Sequence, residues 1–386
     1  MKPLAGIRIA DFSAHASAPF CTHMLSQLGA EVVKIETKLR PDIFRKPHVV
    51  YGRMVAASFD QVASNKLSVR INFKNPKGIA LAKRIVGISD IAAENFRPGV
   101  MERLGLGFEA LKAVKNDIIM VSVSASGQAG PDKEFAGYAP LFGAWGALGY
   151  LTGYTDGPPV EMRHVMDHTI GMNAALGVMA ALHRRRRTGE GSYVDVSGRD
   201  VAASLAGEAL LQAACGDAPM RRGNTQPGAA PYGLYQTRDD DRWLSIAVTT
   251  EDHWKRFAEA IGRAELLNDP AREMLDAIVA GWVSTQSGEA AQELLQKAGV
   301  PAHLSWNIKD VVEDPHLRAR EMIVDVHDNE GNKRAAIAVP MRLSKSQRGI
   351  ERGTPELGGA EDYVYGDLLQ ISAKERAALV DEQVIY

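Results

Sequence analysis

The sequence predicts an α/β protein with a Rossmann-like, doubly wound parallel sheet and a second, smaller α+β domain. Three observations carry this expectation. The first 35 residues alternate strand, helix and strand, and the same alternation recurs up to residue 124. A stretch at 215–231 rich in Gly, Pro, Asn and Asp then reads as an inter-domain connection, and a hairpin pattern follows it.

Residues 7–12 form a short apolar-rich run that meets a loop at 13–19. Cys21, Met24, Leu25 and Leu28 follow at helical spacing, Gly29 stops them, and 30–35 reads as a second strand. Such a βαβ unit has a right-handed crossover and needs a parallel sheet. Strands are expected at 67–71, 91–94 and 118–124, and helices at 76–86, 98–104 and 109–114. The uncharged run 138–155 is too short for the roughly 20 apolar residues of a membrane span, is punctuated by glycines, and reads as buried backbone.

A helix of small residues is expected at 169–182, with Gly171, Ala174, Ala175, Gly177, Ala180 and Ala181 letting it pack closely. Arg184–Arg187 complement the negative pole at its end rather than mark a ligand site. A second helical stretch covers 200–214. The smaller domain reads as a hairpin (232–237 and 243–248), helices at 251–261, 286–298 and 307–313, and a turn at 299–301. The tail carries two strand-like segments around a turn at 328–332 and a last helix from Ala373. The expected domains are 1–215, 216–325 and 326–386, the last returning to the first.

Composition limits what such a fold can do. The 386 residues carry 45 Lys+Arg against 47 Asp+Glu, a net charge of −2, and 45% are hydrophobic. That describes a folded chain with no general attraction to nucleic acid or anionic membranes, so small molecules are the expected ligands. Cys21 and Cys215 form no disulfide framework, and the N-terminal residues lack the apolar core of a signal peptide. A cytoplasmic location is expected. No G-x-G-x-x-G follows the first strand, which disfavours nicotinamide and flavin chemistry, and Ala14, His15 and Ala16 stand there instead.

Two groups of residues suggest chemistry. Asp167 lies between His164 and His168 at the start of the small-residue helix, where it serves either as a cap or as a nucleophile or base facing a cleft. The H-x-x-D-H spacing resembles a zinc-peptidase signature only superficially, because no third ligand is apparent, and no metal is expected. Lys74, Asn95 and Arg97 all follow strand ends, with Arg103 nearby, and an open parallel sheet binds its ligands there. An anionic, phosphate-bearing ligand fits that basic set.

These strings together resemble the class III CoA-transferases, the CaiB/BaiF family typified by formyl-CoA transferase. The likeness runs through Pro3-Leu4-Ala5-Gly6-Ile7-Arg8-Ile9, Leu28-Gly29-Ala30-Glu31-Val32-Val33-Lys34-Ile35-Glu36, Glu94-Asn95-Phe96-Arg97-Pro98-Gly99, Gly127-Gln128-Ala129-Gly130-Pro131 and Pro355-Glu356-Leu357-Gly358. The resemblance implies that Asp167 is the nucleophile and that Ala16, Ser17, Ile71, Asn72, Phe73, Lys74, Asn95, Phe96, Arg97 and Arg103 line a CoA site. It implies acyl-CoA and an organic acid as substrates, no permanently bound cofactor, and an interlocked dimer, either of one chain or of two related subunits. Tyr138, Arg163 and His164 are substrate-pocket candidates, the latter two as partners for the second carboxylate of a diacid, with an aromatic acid walled by Phe142, Trp145 and Tyr150 as the other acceptor class. An acyl-CoA racemase of the same fold is the alternative, disfavoured because Tyr138 stands where those enzymes carry a histidine base. A non-catalytic subunit of a mixed transferase is the other alternative.

Overall fold

Short runs of Ile, Val and Ala with both faces apolar have to be buried on both faces. Such runs, with more polar strands at the edges, pair side by side as six strands in the computed structural model, which describes residues 1–50, 53–162, 165–268, 275–327 and 331–386. Their order is Leu67–Arg70, Glu31–Glu36, Arg8–Asp11, Ile91–Glu94, Ile119–Ser124 and Ser192–Ser197, all parallel. In the centre Ile9 stands between Val32 and Ile91.

Helices cover both faces, as a doubly wound sheet requires. On one face Cys21, Leu25, Ile170, Ala174 and Val178, from helices Ser17–Gln27 and Val165–Thr188, bury against Ile9, Val32 and Val121. On the other, Leu81 and Ile85 of helix Pro76–Gly87 join Val364 and Tyr365 of the turn of helix Asp362–Leu368 over Val33, Ile35 and Met120. Leu28 and Gly29 end the first helix as expected, Gly29 with φ +109.

The chain divides into two units. One comprises Met1–Gly149, Glu161–Gly216 and Pro315–Tyr386, the other Tyr150–Val160 and Asp217–Asp314. The second holds an antiparallel sheet ordered Ala302–Leu304, Trp243–Ala247 and Tyr232–Gln236, with Leu244, Ile246, Phe257, Val279 and Leu295 in its core. These limits differ from the expected ones in two places. Residues 150–160 leave the first domain because Gly223 N–H donates to Gly153 O at 2.8 Å and Arg221 to Tyr150 O at 3.2 Å. The return begins at Pro315 rather than 326 because Arg318 pairs with Asp325 at 3.2 Å and Arg348 donates to Arg320 O at 2.8 Å.

Other elements depart from expectation for visible reasons. Strand Ser192–Ser197 went unrecognised because it sits at the sheet edge, where polar residues alternate with Val194 and Val196. Helix Val165–Thr188 starts before Asp167 rather than after it. The stretch 200–214 is two helices, Gly198–Leu205 and Gly207–Ala214. Strand Ala302–Leu304 and helix Leu275–Val283 were also missed, and the turn 328–332 lies largely outside the described residues. The run 138–155 is not uniformly buried: Tyr138 and Tyr154 are 71% and 63% exposed. Its glycines serve close packing instead, since a Cβ on Gly146 would collide with Ala202.

Helix Val165–Thr188 is long and apolar enough to cross a membrane by length and composition. Its inner side is buried in the first unit, and Arg185 near its end pairs with Asp90 at 2.9 Å.

Candidate active site

The first strand ends in a carboxyl with nowhere to go but inward. Asp11 is fully buried, and Lys66 meets it at 2.9 Å. Thr22 donates to it at 2.8 Å, the Ser13 N–H at 3.0 Å, and the Ser13 hydroxyl donates as well. Burial alone pushes this carboxyl up, but Lys66, Lys34 and the hydrogen bonds together hold it below the ordinary carboxylate range. Lys66 also donates to Pro19 O at 2.9 Å, so the pair ties the strand to the first turn of helix Ser17–Gln27.

The loop between them is held from three directions. Asn95 accepts from Ala14 N–H at 2.9 Å and donates to Ala14 O at 2.7 Å. Lys34 donates to Ser13 O at 2.8 Å and lies 3.4 Å from Asp42. Asp42 in turn accepts from His15 N–H at 3.2 Å. His15 adopts φ +64, a left-handed conformation that costs a residue with a side chain. Helix Ser17–Gln27 follows with no side chain capping its amides, so its positive pole is open at Ala16 and Ser17.

Asp167 lines the same cavity as Ala16 and Ser17, and the two helices that carry them pack closely. A Cβ on Gly171 would lie 2.6 Å from Ser17 O and 3.0 Å from Phe20, so only glycine lets them approach. One turn earlier Asp167 lies in the first turn of its helix, half-buried, with His168 packed edge-on against Phe20 at 4.5 Å. Burial raises the Asp167 carboxyl above the ordinary carboxylate range, and His168 and His15 pull it back only in part. Asp167, His15, Ala16, Ser17, Asn95, Ser124 and Tyr138 all line one cavity of about 740 Å³. A partly desolvated carboxylate that shares a cavity with an uncapped helix N-terminus is suited to nucleophilic attack on a carbonyl whose oxyanion that terminus receives.

The sequence-predicted residues divide accordingly. Asp167, Ala16, Ser17, Asn95 and Tyr138 come together in the cavity. Asn95 spends its amide on Ala14, which makes it a loop clamp rather than a free ligand group. The Ile71 side chain is fully buried in the core beneath the sheet, which leaves only its backbone to line a ligand site. Asn72 is tied to Gln383 O at 2.9 Å, and Phe73 packs against that same core. Phe96 packs there too, its N–H donating to Glu94 at 2.7 Å. Lys74, Arg97 and Arg103 are exposed. Arg163 and His164 lie outside the described residues. Sequence reasoning passed over His15, Phe44, Gln61 and Ser124, which line the cavity from loops and elements distant in the chain. The one available signal was His15, standing in the loop where a glycine-rich turn was absent.

Comparison with known proteins finds CoA-transferases over the whole chain. The model of CoA-transferase family III matches residues 4–361. A succinyl-CoA–D-citramalate CoA-transferase of Chloroflexus aurantiacus is 33% identical, covering 100% of this chain and 98% of that protein. A succinyl-CoA:mesaconate CoA-transferase of Haloarcula hispanica is 31% identical, covering 90% and 91%. The beta subunit of a succinyl-CoA–L-malate CoA-transferase, also of Chloroflexus aurantiacus, is 29% identical over 99% and 98%. The crystal structure of a CaiB/BaiF family protein from Brucella suis superposes with a TM-score of 0.86 at 27% identity, covering 95% of this chain and 99% of that one.

Proposed function

The chain belongs to CoA-transferase family III, and we propose that it moves CoA reversibly between succinyl-CoA and a short dicarboxylic acid through Asp167. The carboxylate of Asp167 attacks the thioester carbonyl, and collapse of the adduct gives a mixed anhydride and CoA thiolate. The thiolate then attacks the Asp167 carbonyl, releasing succinate and leaving Asp167 as a CoA thioester. The incoming carboxylate attacks that thioester, expels the thiolate again and forms a new anhydride. Attack of the thiolate on the acyl carbonyl yields the new acyl-CoA and restores Asp167. Each step trades one activated acyl bond for another, so no external energy is needed while water stays out.

The observation that carries this reading is the half-buried Asp167 beside the uncapped N-terminus of helix Ser17–Gln27. Backbone N–H groups at Ser17 and Ala18 are the donors for each oxyanion, Pro19 having none. Lys74, Arg97 and Arg103, exposed past the strand ends, are the phosphate-binding residues. Acyl-CoA enters as substrate, and the resemblance brings no permanent cofactor. The diacid preference comes from the three succinyl-CoA-dependent relatives.

The chain acts as a dimer in this reading. Met172, Leu176 and Met179 leave an apolar stripe exposed on the long helix, and Leu205, Leu210 and Leu211 are exposed nearby in sequence. The existence of alpha and beta subunit relatives keeps a related second chain as an alternative partner. Free Cys21 and Cys215 fit a reducing cytoplasm.

The test is mass spectrometry of the protein mixed with succinyl-CoA and quenched with hydroxylamine. A hydroxamate on Asp167 that is absent without acyl-CoA, and absent in Asp167→Ala, supports the covalent route. No adduct while CoA still binds by calorimetry sinks it.

A further inference from the structure

We infer that His15 selects dicarboxylic over monocarboxylic substrates by hydrogen-bonding the carboxylate remote from the reacting carbon. The inference rests on the CoA-transfer reading above and adds to it the residue that recognises the acid. A diacid brings a second charge into the cavity, and a carboxylate taken from water without a partner is costly. Among the described residues lining the cavity there is no lysine or arginine, and His15 and His168 are the only side chains there that can carry positive charge.

The two imidazoles are placed differently. His168 directly follows Asp167 in its helix and is packed edge-on against Phe20. The His15 ring touches Phe44, their centroids 5.9 Å apart, and its side chain is exposed with no hydrogen bond among the described residues. It is therefore open to an incoming ligand. His15 and Asp167 line the same cavity.

The backbone supports the same assignment. At φ +64 a glycine would sit without strain, yet the position holds a histidine, and neighbouring groups are spent on keeping it there. Asp42 accepts its N–H, Lys34 stands against Asp42, and Asn95 clamps both backbone groups of Ala14. The loop backbone that carries the ring is thus fixed before substrate arrives, which favours discrimination.

Succinate and butyrate have equal chain lengths and differ in a carboxylate against a methyl group, so the ratio of kcat/KM for succinyl-CoA over butyryl-CoA reads the contact directly. His15→Gly, which the backbone accepts without strain, is expected to lower that ratio by about 10- to 100-fold, mainly through KM. His15→Gln, which keeps a donor, is expected to recover part of it. A ratio unchanged in His15→Gly, with both reactions falling together, means a purely structural loop residue and overturns the inference. So does a wild-type protein that prefers butyryl-CoA, or an Arg163→Met variant that loses the preference while His15→Gly keeps it. Trapping the Asp167 adduct in the same samples separates the two levels: no adduct from either donor defeats the CoA-transfer reading, whereas an adduct with an unchanged ratio defeats only the role of His15.

Discussion

Asp11 and Asp167 are two inward-facing carboxyls that flank the start of helix Ser17–Gln27, and their surroundings set them to opposite tasks. Asp11 has a lysine, a threonine and a serine around it and is held ionised. Asp167 has two imidazoles nearby, and burial raises its carboxyl. In the proposed mechanism the same side chain is scaffold where its charge is neutralised and reagent where it is not. A nucleophile has to retain reactive lone pairs, so an ion pair as tight as that of Asp11 would quench it.

Removing the reagent should spare the scaffold. Asp167→Ala is expected to lower transferase kcat by at least about 10³-fold while the circular dichroism spectrum and melting temperature stay close to wild type. A variant that kept a tenth of the activity would mean that another group attacks the thioester. Removing the scaffold should cost both properties. Lys66→Met leaves the Asp11 charge buried and unpaired, and denaturant unfolding should show a loss of about 3–5 kcal/mol. Adding Asp11→Asn removes the second charge, and the double variant should recover a large part of that loss; if it is no better than Lys66→Met, the pair is not what the single variant broke.

The packing between the two regions gives a smaller effect. Gly171→Ala places a methyl group 2.6 Å from Ser17 O, and the helices have to separate to admit it. Overpacking of this kind costs about 1–3 kcal/mol. Because Asp167 lies one turn away, kcat should fall more than KM rises, and equal changes in the two would argue that the helix moves without displacing the nucleophile.

How much of this was legible beforehand follows from which distances along the chain were involved. The parallel sheet was readable because each βα repeat is local and its apolar runs are continuous. Strand Ser192–Ser197 was not, since only its edge position explains its exposed polar residues. Asp167 stood out through its helix of small residues, and Gly171 has a visible reason in the contact with Ser17. For Ile71 a motif names a stretch of chain without saying which side chains point outward, and this one turns into the core just past the strand. The clamp on His15 combines Asp42, Lys34 and Asn95, residues far apart in sequence that meet only once the sheet has formed.

The smallest effect is the most direct contrast between the two carboxyls, because it compares the signs of their pH dependence. Asp11 has a folded pKa below its unfolded value, so its ionisation adds stability above the unfolded pKa and that gain is lost as pH falls through the folded one. Asp167 has a folded pKa above its unfolded value, so the unfolded chain ionises first and stability declines as pH rises from the unfolded pKa through the folded one. Asp11→Asn should therefore melt lower than wild type at pH 7, and Asp167→Asn slightly higher. Both differences should shrink towards zero as the solution is acidified below the range in which either carboxyl is ionised. Melting temperatures of the three proteins across an acid series test this, and an Asp167→Asn variant that melts below wild type at pH 7 would show that the carboxylate is stabilised in place, which the reagent half of the comparison forbids.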